Sequence, residues 1–516
     1  MYKFIIAIFG ECLYNKIECN SFVTFLSRTF GRKENLKKIL MRSAMPFGEE
    51  KIVPEVLIQN LVGDNTGNLL FQNSVARLIL TEDTEITTIK TITEYSDEEV
   101  DYFNSEYDMF IIPLANAFRL SFLKELKRIT HLIERLKMPC IVIGVGIQRN
   151  LDATKWHYSF DEDAKAFTRA VLEKSAIMGI RGEITAQYMK GLGFEEDKHF
   201  SVIGCPSLYT YGDSLPVPKM TNLTPKSNVT VNFKAMLERN VYRFLRSQAE
   251  QFDKFTFVTQ AVPEIGAMYI GNPYTQSDIE KGIPEDYPIY FKSELMVQDK
   301  MVGVLDDYTW IEYLKQSDFN FGSRIHGNIA SILAGTPCYI FASDQRVQEL
   351  AEYHNIPYMP QDKITESTNI FDLYEKTDYS CLMRGHKDRV SKYIDFLDQN
   401  KVEHLDRDIV NQVGATPFDK MQASRKHIEV LHPFPVVSYD EQQERIQEYI
   451  EYVKYFMQGK VDKVRSNYSE YRKQSNAKIK EYQTEQKKLK KELALIKSSH
   501  FYKMKIKYDA IKSKFK

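Results

Sequence analysis

The sequence lacks any long hydrophobic run. Its apolar opening, Phe4 to Phe9 behind Lys3, is shorter than a signal-peptide core and far shorter than a membrane span, so a cytoplasmic protein is expected. Cysteine pairing is absent too: Cys12, Cys19, Cys140, Cys205, Cys338 and Cys381 are scattered without a CxxC, which argues for a reducing compartment and against a zinc centre. His386, His404, His427 and His432 show no H-E-x-x-H spacing, so no metal is expected. The glycine pair Gly144-Val145-Gly146 has Arg149 where the third glycine of GxGxxG would fall, which excludes a nicotinamide or flavin fingerprint. No nucleic-acid partner is expected. Net charge is nearly absent, at -1, but residues 472–516 carry 15 Lys and Arg against 4 Asp and Glu. The chain is an acidic body with a basic end.

A chain of 516 residues, 43% hydrophobic and 27% charged, describes a soluble globular protein too long for one core. Short apolar runs at 55–59, 109–112, 140–144, 176–180 and 200–204 read as strands. Between them, 115–136, 161–173 and 183–190 read as helices. A linker at 216–227 follows. A second series has strands at 228–233, 255–259, 317–321 and 337–341, with helices at 236–252, 307–316, 326–334 and 344–353. Such alternation calls for parallel sheets covered on both faces, hence two facing Rossmann-like domains with ligands at the carboxyl ends of their strands.

The stretch from Phe319 to Ala330 ends a strand in Gly322-Ser323, sets Arg324 beside His326, and passes through Gly327 into a helix. Arg324 offers a permanently charged fork for phosphate or carboxylate, and His326 a group that exchanges protons near neutral pH. In the first half, Gly63-Asp64-Asn65-Thr66-Gly67-Asn68 forms a glycine-containing turn before a helix, an arrangement that presents free N–H groups to an anionic or polar ligand.

These two motifs, with Gly179-Ile180-Arg181, Val202-Ile203-Gly204-Cys205-Pro206-Ser207 and Asp344-Gln345-Arg346-Val347-Gln348-Glu349-Leu350, occur in an order that resembles the polysaccharide pyruvyl transferases over roughly residues 53 to 375. The resemblance implies a glycosyltransferase-like (GT-B-like) pair of Rossmann domains. It also implies transfer of an enolpyruvyl unit from phosphoenolpyruvate to a sugar of a cell-surface polysaccharide or its lipid-linked precursor, without a required cofactor. On this basis Arg324 and Arg181 are expected to hold the donor's phosphate and carboxylate, with Gly327, Ser207 and Lys234 lining the cleft. His326 would bind phosphate or protonate the methylene carbon. Asp64 would take a proton from the acceptor while Asn65 and Asn68 hold the sugar, or Asp64 and Asn68 would serve only the turn. Arg181 would instead satisfy a strand end if it paired with Glu183 or a neighbouring acid. The family usually places an acid directly after this arginine, where Gly182 stands here. Asp344, Arg346 and Glu349 are expected to shape a helix start.

The expected divisions are an extension of unassigned role (1–45), two Rossmann-like domains (46–220 and 221–375), an irregular segment (376–435) and a helical basic tail (436–516). In the tail, Ser438 to Glu441 form a capping box, with Ile446, Tyr449, Ile450, Val453 and Phe456 on one face and Gly459 as an expected interruption. Tyr482, Gln486, Leu489, Leu493 and Ile496 then fit two heptads of coiled coil through which copies could associate. Phe501, Met504, Tyr508, Ile511 and Phe515 share a face among lysines, suited to the inner face of an anionic membrane or to a solvated helix. Two rivals remain at this point: a glycosyltransferase of the same architecture using a nucleotide sugar, and a non-catalytic scaffold of a glycan-assembly complex.

Overall fold

The computed structural model describes residues 36–43, 45–91, 94–233, 239–271 and 293–498. Lys234 and the 501–516 face lie outside them. The chain forms two compact units, one ending at Arg445 and the other beginning at Ile446.

Among its described residues the first unit contains parallel sheets of four and six strands and a further parallel pair. In one, β1 (Lys37–Arg42), β2 (Thr84–Ile89), β3 (Met109–Pro113) and β4 (Cys140–Ile143) take the order β2-β1-β3-β4. The pair β5 (Met178–Ile180) and β6 (Phe200–Val202) extends it, because the N–H groups of Gly144 and Val145 both donate to the Gly179 carbonyl, at 2.9 and 3.1 Å. Side chains of β3 and β4 alternate between two cores: Phe110, Ile112, Cys140 and Val142 face one way, Met109, Ile111, Ile141 and Ile143 the other. Burial on both faces explains why these strands read as unbroken apolar runs.

The second sheet contains β7 (Asn228–Asn232), β8 (Lys254–Thr259), β9 (Met301–Gly303), β10 (Phe319–Gly322), β11 (Cys338–Ala342) and β12 (Tyr358–Pro360), all parallel. Their order, β9-β8-β7-β10-β11-β12, is that of the dinucleotide-binding fold, with its reversal between β7 and β10. The crevice therefore opens beyond Asn232 and Gly322. A buried polar knot sits there: Asn232 Oδ1 accepts from the Arg324 N–H at 2.8 Å, and Asn320 Oδ1 from Asn232 Nδ2 at 3.3 Å. Gly322 adopts φ +150° at this point, and a Cβ would fall 1.8 Å from the Asn232 carbonyl oxygen.

Three local expectations are corrected. Residues 55–59 are not a strand but part of the helix Val53–Gln59, started by Pro54, whose fixed φ suits a first helical turn. Among the described residues the first strand is β1, inside the segment 1–45 that shows no sustained period. Gly459 does not interrupt the last helix, which runs unbroken over Tyr439–Ser498. One glycine costs a helix only about 1 kcal/mol, so it need not stop it. Among the described residues no helix is long and apolar enough to cross a membrane.

Arg77, on the helix Gly67–Ile79, ties that helix to the segment after the second sheet. Its guanidinium is bidentate to Asp419 at 2.8 Å twice and donates to the carbonyls of Thr210, Val410 and Gln412. At 3% exposure this group cannot exchange its partners for water. Arg77→Met is expected to destabilise the unit by about 3 to 5 kcal/mol by leaving Asp419 unpaired; an unchanged urea midpoint would contradict this.

Candidate active site

The helix Ile325–Leu333 begins where β10 ends, with Arg324 as its N-cap residue. The first N–H groups of a helix have no partner inside it, so those of Ile325, His326 and Gly327 face the crevice end. Arg324 is anchored on one edge, its Nε donating to the Phe233 carbonyl at 3.0 Å and its Nη2 lying 3.7 Å from Glu264 Oε1. Glu264 in turn accepts from the Thr259 hydroxyl. Gly327 is packed rather than open: a Cβ would stand 2.7 Å from Cγ of Asn232.

His326 meets the first half of the protein directly. A Cβ on Gly67 would lie 2.5 Å from His326 Cβ and 2.6 Å from its Nδ1, so only glycine lets the 63–68 turn reach the imidazole. The turn itself docks on the second sheet. Thr66 N–H donates to the Gln260 carbonyl at 2.9 Å, its hydroxyl to Val304 at 2.6 Å, and Asn65 Oδ1 accepts from Gln260 Nε2 at 2.5 Å and from Gly67 N–H at 2.8 Å. Asn68 Nδ2 is committed to the carbonyls of Val62 and Gly63, at 3.0 and 2.8 Å, which favours the turn-forming alternative for it. Asp64 is exposed at φ +70°, its carboxylate accepting from Asn60 Nδ2 at 2.7 Å.

Arg181 follows β5 and lies across Gly146, where a Cβ would come within 2.4 Å of its Cδ. The second glycine of the GxG thus gives clearance to a guanidinium. Arg181 is 4% exposed, and its Nε has no hydrogen-bond partner among the described residues. It does not pair with Glu183. The nearby acid is Glu349, which is anchored by the Thr185 N–H and hydroxyl at 2.9 and 3.0 Å. Gly182 makes room for it, since a Cβ there would be 2.8 Å from Glu349 Oε2.

The electrostatics bind these groups into one site. Burial, then Arg346, Arg181 and Arg324, push the His326 pKa down to about 3. Burial and Arg346 likewise bring Arg181 down to about 10, against Glu349, and lower Arg119. Glu349 rises to about 7 because its burial outweighs Arg181, Thr185 and Arg346. Arg346 is therefore the common neighbour of Arg119, Arg181 and His326. It sits in the first turn of the helix Gln345–His354, its Nε 3.5 Å from Asp344 Oδ1, while Asp344 caps that helix by accepting from Val347 N–H at 2.9 Å. A sequence in which an arginine follows an aspartate at a helix start points to local pairing, which hides this convergence. Arg119 was also missed: the spacing places it inside a helix at 115–136, whereas the α-helix begins only at Leu123 and Arg119 lies in the loop before it.

Not every expected residue lines the crevice. Ser207 is fully buried, its hydroxyl accepting from Cys205 Sγ at 3.4 Å, so it supports Cys205 and does not offer a surface. Cys205 Sγ is itself 4.0 Å from His326 Nε2. Among the described residues no group of three His, Cys, Asp or Glu could hold a metal ion.

The sheet-end crevice thus has one buried guanidinium, Arg181, and three half-buried ones, Arg119, Arg324 and Arg346, around His326. The chain belongs to the polysaccharide pyruvyl transferase family, whose model matches residues 65–345, just over half of the sequence; it is an enzyme of that family. Similar solved structures include a functionally uncharacterized protein from Klebsiella pneumoniae, 13% identical over 67% of this chain and 99% of that one with a TM-score of 0.34. The Methanocaldococcus jannaschii UDP-GlcNAc 2-epimerase, solved with UDP-GlcNAc and UDP, is 10% identical over 70% and 99%, with a TM-score of 0.39. No curated relative matches the sequence.

Because burial first and its cationic neighbours second push the His326 pKa down to about 3, an anion that screens the neighbours should raise it part of the way back. Titration with inorganic sulfate at about pH 5.5 is expected to draw a proton from buffer, making the calorimetric heat depend on the buffer's ionisation enthalpy. His326→Gln should diminish that dependence; equal dependence in the two proteins would contradict the assignment.

Proposed function

We propose that the enzyme transfers the enolpyruvyl group of phosphoenolpyruvate to a sugar of a cell-surface polysaccharide or of its lipid-linked precursor, forming a pyruvate ketal. The observation that carries this is the convergence of Arg119, Arg181, Arg324 and Arg346 on the His326 crevice, with the helix N-terminus at Ile325. Phosphoenolpyruvate has two anionic ends flanking C2 and so calls for cations on opposite sides. Arg324 and the helix N–H groups suit one end, and Arg181 with Arg346 the other.

In this scheme one sugar hydroxyl adds to C2 as C3 takes a proton, giving a methyl group. The C2–O bond to phosphate then breaks with its electron pair on phosphate. A second hydroxyl adds to the resulting cation, and of the two hydroxyl protons released, one balances that taken by C3 and the other leaves with phosphate. His326, protonated once donor charge neutralises its surroundings, is the acid for C3. Asp64, exposed on the turn that reaches His326, is the candidate base, and Asn65 a candidate acceptor contact. Cytoplasmic action beside the membrane's inner face fits a lipid-linked acceptor.

Charge-assisted contacts contribute about 1.5 to 3 kcal/mol each, so Arg181→Gln, Arg324→Gln or Arg346→Gln should weaken phosphoenolpyruvate binding by about one to two powers of ten. Thermal-shift titration checks this. Stabilisation by phosphoenolpyruvate but not UDP or GDP is expected; stabilisation by the nucleotides alone, or loss of no affinity in Arg346→Gln, would count against the reading.

A further inference from the structure

Among its described residues, from Ile446 to Ser498, the second unit is one continuous helix, the later part of Tyr439–Ser498, with apolar side chains open to solvent along its length. Ile450, Met457, Val461, Val464, Tyr468, Ile479, Tyr482 and Leu489 are all between 42% and 68% exposed. From Ile446 to Ser498 such a helix is about 80 Å long. Helices draw most of their stability from packing of an apolar face, and here that face is uncovered among the described residues.

The spacing of the stripe identifies what fits it. Ile446, Met457, Tyr468 and Ile479 recur every eleven residues, with Ile450, Val453, Val461 and Val464 filling the first two repeats. From Ile479 the period changes to seven: Ile479 and Gln486 take a positions, Tyr482 and Leu489 take d positions, and the sequence continues with Leu493 and Ile496. Eleven-residue and seven-residue repeats impose different supercoils. A partner must change its period at the same height, and a second copy aligned in register does so automatically.

Charge then selects the direction. In this frame Glu485 is a g position and Lys490 the following e position, and the sequence repeats the pair one heptad later with Glu492 and Lys497. Two parallel helices in register set each g residue beside the other's next e residue, glutamate against lysine in both directions. An antiparallel pair would set g against g and e against e, glutamate facing glutamate and lysine facing lysine. Gln486 at an a position adds a polar layer that is satisfied when it meets its own copy. We infer that the 446–498 helix pairs with the same helix of a second chain, parallel and in register, to give a two-chain coiled coil.

Sedimentation equilibrium of the full chain at low salt should return about twice the 60.2 kDa chain mass, whereas Ile479→Asp/Leu489→Asp should sediment as a single chain with donor binding retained. Glu485→Lys should raise the dimer dissociation constant about tenfold, and Glu485→Lys/Lys490→Glu should restore it. Ile479→Cys and Leu489→Cys, made separately, should each form a disulfide-linked dimer on mild oxidation beyond any seen in the unchanged protein. A single-chain mass for the unchanged protein, a dimer that survives the double aspartate variant, or cross-linking at only one of the two cysteines would overturn the inference.

Discussion

The close approach of His326 to Gly67 is the contact that makes one site out of two sheets. Backbone, not side chain, from the first half meets the imidazole of the second, because a Cβ at 67 would stand 2.5 Å from that of His326. The approach is fixed by bonds that involve no ligand: Thr66 to Gln260 and Val304, and Asn65 to Gln260. Arg181 after β5 and Arg324 after β10 belong to different sheets, and their separation depends on this docking. A substitution that lifted the turn would disperse the cations even though each kept its own strand.

What the docking assembles is electrostatically unfavourable without an anion. Arg346 opposes the charge of Arg119, Arg181 and His326, and burial opposes all of them. Three of the cations have a local anchor, Arg324 on Phe233 and Glu264, Arg346 beside Asp344 and Arg119 near Gln148, while Arg181 has only the field of the nearby Glu349 to offset the repulsion. Donors fixed before the ligand arrives need no reorganisation when negative charge appears, and this is how a preorganised site lowers the barrier to a charged transition state. The imidazole among them is kept neutral, by burial first and by these cations second.

Much of the architecture was legible in the residues, and the failures have particular causes. The runs MFIIP in β3 and CIVI in β4 could be assigned because burial on both faces leaves no polar interruption. The run VLI at 56–58 carries the same signal but is too short to separate strand from helix, and Pro54 decides for helix. β1, KKILMR, has only three fully buried residues between charged ends, so its place beside β3 depends on pairing that no local pattern records. Arg324 and His326 stood out because a glycine-bounded strand end precedes them. Arg346 did not, because its partners are brought by the fold from residues 119, 181 and 326. Gly146 was visible as a glycine, yet what it makes way for lies thirty-five positions further along the chain.

Gly182 shows how a local departure from the family pattern is compensated across the molecule. An acid directly after Arg181 would occupy the space into which Glu349 reaches from the second half, where the Thr185 N–H and hydroxyl hold it. The carboxyl is thereby supplied across the domain junction instead of by the adjoining residue. Burial holds its pKa near 7, so around neutral pH it is divided between a charged form that offsets Arg181 and a neutral form that leaves the guanidinium uncompensated. Glu349 can give way by taking a proton, so the net charge at this strand end follows from how deeply the counter-ion of Arg181 is buried as well as from the number of arginines present.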